Sequence, residues 1–127
     1  MSTPHSLVRG LLPGLLVLLA ACETYTGTPP PGAEAHPGFG AYKEYCGRCH
    51  GLDGRSERSR EIAGEYVNLV DPRWRTTADR DTVRLIVLYG TGEMDGLEGT
   101  MDEATLRTIL DYVFWMPVDS LAGGRGR

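Results

Sequence analysis

An all-α fold of three to four short helices packed around one covalent prosthetic group is what this 127-residue chain predicts. Three observations carry that expectation. Apolar residues recur at helical spacing in three stretches, and glycine and proline punctuate the segments between them. No strand or βαβ pattern is visible around the only cysteine pair. That pair lies in Cys46-Gly47-Arg48-Cys49-His50, where two thiols three residues apart and an adjacent imidazole supply what attachment of a c-type haem needs. Three or four short helices bury little apolar surface alone, so the haem is expected to complete the interior and the apo chain to fold poorly.

Residues 1–21 read as an export signal rather than as fold. Arg9 gives a weakly positive start, Leu11 to Ala21 is almost wholly apolar, and Leu19-Ala20-Ala21-Cys22 places small residues before a cysteine. The apolar run is shorter than the roughly 20 residues a membrane-spanning helix needs. The segment resembles a bacterial lipoprotein signal, in which Cys22 is lipidated and becomes the first mature residue. An ordinary signal peptide with a chance cysteine is the other reading. Removing 1–21 leaves twelve bases against seventeen acids, a net −5, from −4 for the whole chain. So acidic a chain has no case as a nucleic-acid binder.

Residues 22–37 are expected to be the lipidated cysteine and a Pro/Gly/Thr-rich tether, with three consecutive prolines and no apolar period. His36 is read there as a solvated linker residue rather than an iron ligand. Residues 38–117 hold the folded domain. A first helix runs from Phe39 into Cys46, with Phe39, Tyr42, Tyr45 and Cys46 at helical spacing. From Gly51 to Trp74 no period convinces, and Asp71-Pro72 marks a turn. A second helix covers roughly Arg80 to Tyr89, with Val83, Ile86 and Val87 inward, Asp79 or Asp81 as cap and Gly90 ending it. A third runs from about Glu103 to Trp115. Asp102 is its N-cap, Met101 and Leu106 form a staple, Leu106, Ile109, Leu110 and Val113 face inward, and Pro117 stops it. Residues 118–127 are expected to be a flexible tail.

The chemistry rests on Cys46, Cys49 and His50: the thiols hold one haem, and the imidazole ligates its iron. A thioredoxin-like dithiol is the alternative for such a pair, but it expects a βαβ context. A structural zinc site would need more Cys or His than the three of each present. The second axial position then decides function, since methionine suits electron transfer and an open site suits gas or peroxide chemistry. Met94, in Gly90-Thr91-Gly92-Glu93-Met94-Asp95-Gly96, is favoured because a glycine-rich loop can bend a thioether over a flat macrocycle. Met101, Met116 and an open site are the alternatives.

Gly38, Tyr42, Cys46, Cys49, His50, the loop with Met94, and Ile109 with Tyr112 follow the order of a class I monohaem cytochrome c, which residues 38–115 resemble. That resemblance implies a small all-α cytochrome c fold, His50 and Met94 as iron ligands, and a helix crossing that joins Gly38/Tyr42 to Ile109/Tyr112. The chain departs from the pattern at Asp95, where proline commonly follows the methionine. Val67 stands about where a proline carbonyl usually orients the haem histidine, so the partner of His50 Nδ1 is unnamed. The lysine ring of the best-known members is also missing, since Lys43 is the sole lysine.

The expected function is therefore a membrane-anchored single-electron carrier with one covalent haem c, exported to the periplasm or an outer face. It turns over no small-molecule substrate, is not an enzyme, and works with redox protein partners. A fixed electron-entry subunit of a larger respiratory complex and a haem sensor or peroxidase with an open distal site are the alternatives. From Leu85 to Asp119 seven acids face one base, which suggests a basic partner at the methionine loop. Trp74, between Arg73 and Arg75, reads equally as a haem-propionate partner or as an edge-of-core residue.

Overall fold

The computed structural model describes residues 25–57, 68–92 and 94–120. Its helices are α1 (Phe39–Tyr45), α2 (Gly47–His50), α3 (Pro72–Thr77), α4 (Arg80–Tyr89) and α5 (Glu103–Trp115). Gly90–Thr91 (β1) and Met94–Asp95 (β2) form an antiparallel hairpin pairing Gly90 with Asp95 and Thr91 with Met94. Among the described residues the fold is thus all-α with one minimal hairpin. Among the described residues no helix is long and apolar enough to cross a membrane.

Capping explains where the longer helices begin and end. Asp79 accepts from the Thr82 N–H at 2.9 Å at the start of α4. Asp102 does the same for Thr105 at 2.7 Å on α5, satisfying orphan amides at each N-terminus. Both carboxyls are held below the usual carboxylate range by those hydrogen bonds. Gly90, at φ +78°, closes α4 in a conformation other residues resist. Helix α3 falls where a turn was expected. Asp71 caps it through the N–H groups of Arg73 and Trp74, and Pro72 opens it. An aspartate before a proline is therefore a helix start here.

Two apolar clusters form the interior. Tyr42, Cys46, Val70, Ile109, Tyr112, Val113 and Met116 pack with Ala33 in the first. Val83, Val87, Leu106 and Leu110 make the second, and Trp74, Met101 and Phe114 touch both. Helix α5 serves the two clusters from adjacent faces. Its crossing with α1 is tight: a Cβ on Gly38 would sit 1.9 Å from the Thr108 carbonyl oxygen and 2.9 Å from Tyr112 Cβ. The rings of Tyr42 and Tyr112 lie 4.8 Å apart across that contact.

The tether expectation is corrected from Tyr25 onward. The Thr26 carbonyl accepts from the Leu52 N–H at 2.8 Å, and Lys43 Nζ stands over the Tyr25 ring. Residues Ala33–Ala35 form a 3-10 turn that buries Ala33 in the first cluster. His36 is half-buried rather than solvated. Its ring packs against Tyr112 and Trp115, and its Nδ1 accepts from the Gly38 N–H at 3.1 Å. Proline-rich composition excludes a periodic core-forming element, but it does not exclude packing in an extended path. The tail begins later than expected as well: Asp119 donates its N–H to the Val70 carbonyl and pairs with Arg55. The signal segment, Cys22, Val67 and residues 121–127 lie outside the described residues.

Candidate haem site

Helix α1 delivers the attachment motif. Cys46 ends α1 and begins α2, so Cys46, Cys49 and His50 occupy a single helical turn. Cys49 and His50 both donate their N–H groups to the Cys46 carbonyl, at 3.2 and 2.9 Å. This spacing projects two sulfurs and one imidazole from one short rigid stretch. Cys46 is buried in the first cluster and Cys49 is exposed, and both carry reduced sulfurs. Burial, with Cys49 alongside, pushes the Cys46 thiol up to about 12.

The loop after the motif is fixed by glycines and two hydroxyls. Gly51 and Gly54 take φ near +74° and +75°, and a Cβ on Gly54 would meet Met116 and Val70 at 3.1 to 3.2 Å. Tyr42 donates its buried hydroxyl to the Gly51 carbonyl at 2.7 Å, joining α1 to this loop. Desolvation raises the Tyr42 phenol well above its ordinary value, keeping it a donor. Ser56 returns to the motif: its N–H donates to the His50 carbonyl at 2.9 Å, and its Oγ lies 3.2 Å from His50 Nδ1. Nothing in the sequence pattern pointed to Ser56.

The three candidate methionines are separated by their settings. Met94 opens β2 and is half-buried, packed on the second cluster beside Leu88 and Leu97. Met101 precedes the N-cap of α5 and is half-buried against both clusters, the second of which contains Leu106. Met116 is 1 % exposed and fills the first cluster, with its sulfur over Gly54. Arg75 is committed to structure. Its guanidinium donates to the carbonyls of Leu69, Val113, Phe114 and Met116, which caps the end of α5. Arg73 pairs with Asp71. Trp74 packs between the clusters, which favours its edge-of-core reading.

The charge excess around Met94 is smaller than the sequence suggests. Arg80 pairs with Asp111, Arg84 with Glu103 and Arg55 with Asp119, so bases from earlier in the chain cancel three of the seven acids. Asp102 serves as a cap. Asp95 and Glu98 remain exposed beside Met94, and Glu93 lies outside the described residues.

The residues present fit a covalent haem. Two reduced sulfurs and an imidazole leave one helical turn, Ser56 holds a hydroxyl on Nδ1, and that leaves Nε2 as the nitrogen suited to iron. The fold and site define a small all-α monohaem cytochrome c. The chain belongs to the family of cytochrome c oxidase, cbb3-type, subunit III, whose model matches residues 33–113. No match is found among curated proteins or among solved structures. The match begins at Ala33, inside the segment that packs against α1. The protein is a haem-based electron carrier with a covalently bound c-type haem. When bound, the haem supplies an iron that exchanges one electron at a time.

Proposed function

We propose that the protein is a membrane-anchored single-electron carrier with His50 and Met94 as the axial ligands of its haem iron. It turns over no substrate of its own. The setting of the methionines carries the ligand reading. Met116 is buried in the first cluster against Gly54, and Met101, just before the N-cap of α5, packs against both clusters. Met94 sits half-buried on a short hairpin between two helices, where a thioether can turn without disturbing either core. Thioether ligation raises the reduction potential and keeps both axial positions filled, as electron transfer without substrate binding requires. The test is the oxidised spectrum of the holoprotein and of Met94→Ala. The methionine–iron charge-transfer band is expected in the first and absent from the second; a band that survives the substitution overturns the assignment.

Anchoring rests on the Leu19-to-Cys22 pattern: export to the periplasmic or outer face, cleavage before Cys22 and lipid on its sulfur. More than one acyl chain makes such an anchor stable. Metabolic labelling with a radiolabelled fatty acid checks it, with Cys22→Ala expected to abolish both label and membrane recovery.

A second reading, a fixed electron-entry subunit of a larger respiratory complex, is favoured by two observations. One is the oxidase-subunit family to which the chain belongs. The other is the packing of Tyr25, which leaves three residue steps from Cys22, a reach of at most ~10 Å. A tether that short keeps the domain against the bilayer. A stoichiometric partner that survives purification in mild detergent selects the subunit reading, and a monomer selects the free carrier.

A further inference from the structure

The path of the N-terminal segment fixes which face of the domain an anchor at Cys22 holds against a bilayer. Tyr25 packs on the attachment turn itself: a Cβ on Gly47, which stands between the two haem-attaching cysteines, would lie 3.3 Å from the Tyr25 ring. The Lys43 ammonium stands 5.2 Å from the centre of the same ring. One residue on, the Thr26 carbonyl accepts from the Leu52 N–H at 2.8 Å, so the segment is held on both sides of the motif. Three residue steps separate Tyr25 from Cys22, at most ~10 Å of extended chain. An open groove lies at this point, lined by Tyr25, Gly40, Lys43, Glu44, Tyr45 and Arg48. It gathers two tyrosines, an arginine and the sole lysine of an acidic chain. Lys43 and Arg48 are exposed, and Lys43 forms no ion pair among the described residues, whereas Arg55, Arg73, Arg80 and Arg84 each pair with a carboxylate. A lysine with its apolar stem and charged head, and a tyrosine with its apolar ring and polar tip, are side chains that settle at the level of phospholipid headgroups.

We propose that this groove, with Lys43 at its centre, is the membrane-facing surface of the anchored domain and docks on the phosphate layer of the bilayer. The Lys43 ammonium meets lipid phosphates, and Tyr25 and Tyr45 sit at headgroup depth beside it. The attachment turn is thereby held at the membrane surface rather than displayed to the bulk. The anchor supplies nearness and the groove supplies orientation, since a lipid on a three-residue leash leaves the domain free to roll unless one face prefers the surface. The proposal rests on Cys22 carrying the lipid, and its test is arranged to separate the two.

A sole lysine makes acylation a specific reporter of that face. Arg107→Lys adds a second reporter elsewhere: Arg107 is exposed on α5 between Glu103 and Asp111, which pair with Arg84 and Arg80 of α4. The haem-loaded Arg107→Lys protein is purified from membranes and reconstituted in vesicles of equal parts phosphatidylcholine and phosphatidylglycerol. It is then treated with N-hydroxysuccinimidyl acetate. The same holoprotein with Cys22→Ser, exported without lipid behind an ordinary signal, gives the rates in free solution. Intact mass reports the lipid on Cys22, and peptide masses report each lysine. Lys43 should react at least about fivefold more slowly on vesicles than in solution, the factor by which one base strengthens attachment to an anionic surface, while the introduced lysine slows by less than about twofold. Absence of acyl mass on Cys22 would overturn the anchor and the docking face with it. Acylated protein whose two lysines slow alike, or not at all, would overturn the face alone. Protection of Lys43 in native membranes but not on these vesicles would put a protein on the groove and overturn docking on lipid.

Discussion

Gly38→Ala tests the crossing of α1 and α5 more directly than any other single change. Gly38 has φ −87° and ψ −8°, a conformation alanine adopts without strain, so the substitution adds one methyl group and leaves the backbone preference intact. That methyl carbon would lie 1.9 Å from the Thr108 carbonyl oxygen, 2.7 Å from its carbon and 2.9 Å from Tyr112 Cβ. Two of the three obstacles are backbone, which no rotamer change can move. Carbon and oxygen need roughly 3.2 Å, so the helices must part locally by about 1.3 Å. Overpacking of this kind costs about 1–3 kcal/mol. Separation also loosens the Tyr42–Tyr112 ring contact at 4.8 Å, a further ~0.5–1.5 kcal/mol. A loss of about 2–4 kcal/mol is therefore expected in denaturant unfolding of the holoprotein, read as a lower midpoint at unchanged slope. Gly40→Ala is the control. It lies on the same helix with nothing within 4 Å of its added carbon, and it should be neutral or stabilising by up to ~1 kcal/mol. A Gly38→Ala protein within about 0.5 kcal/mol of wild type, with Gly40→Ala behaving as stated, would refute the close crossing.

Other changes separate structural from functional residues. Arg75→Lys should destabilise almost as much as Arg75→Ala, by about 2–3 kcal/mol, because a point ammonium cannot reach the four carbonyls that the fork spans; urea midpoints of both variants check this. Tyr112 carries a buried hydroxyl with no partner among the described residues, so Tyr112→Phe should leave stability unchanged or raised by up to ~1 kcal/mol. Burial pushes the Tyr112 phenol up to about 12, while in the unfolded chain it ionises near its ordinary 10.0. Stability should thus be full below pH 10 and decline as pH rises toward 12, more shallowly in Tyr112→Phe, as thermal scans across that range would record. Electron transfer with a basic partner should slow as salt rises and weaken in Asp95→Asn/Glu98→Gln; a rate flat or rising with salt excludes attraction through that edge.

The long helices were legible because two kinds of signal coincide at their ends. Asp79 and Gly90 bound the Val83/Val87 stripe, and Asp102 and Pro117 bound the Leu106-to-Val113 stripe. The helix crossing was legible only through family resemblance, since no periodicity says which glycine meets which tyrosine. Helix α3 escaped because six residues with one large apolar side chain show no period, although Asp71-Pro72 carried the N-terminal signal. The packing of Tyr25 to Pro37 escaped for a different reason. Its contacts reach to Leu52, Tyr112 and Trp115, and long-range docking of an irregular segment leaves no local mark. Ser56 combines both difficulties. Its left-handed backbone belongs to a loop that two glycines shape, and its target is chosen by that loop.

These local facts bear on the redox centre through α5. Ile109, Tyr112 and Val113 bind that helix to the cluster holding Cys46, while Leu106 and Leu110 bind it to the cluster on which Met94 rests. The attachment turn and the methionine hairpin are thus two loads on one thirteen-residue beam. On the proposed ligation, the distance between the two axial donors is set by how α1 and α4 each seat on α5. The Gly38 contact fixes the first seat, and Val83 and Val87 fix the second. A methyl group at Gly38 should therefore weaken the methionine–iron band as well as the fold, although Gly38 belongs to neither ligand's element. Gly40→Ala, on the same helix but clear of α5, should leave that band untouched.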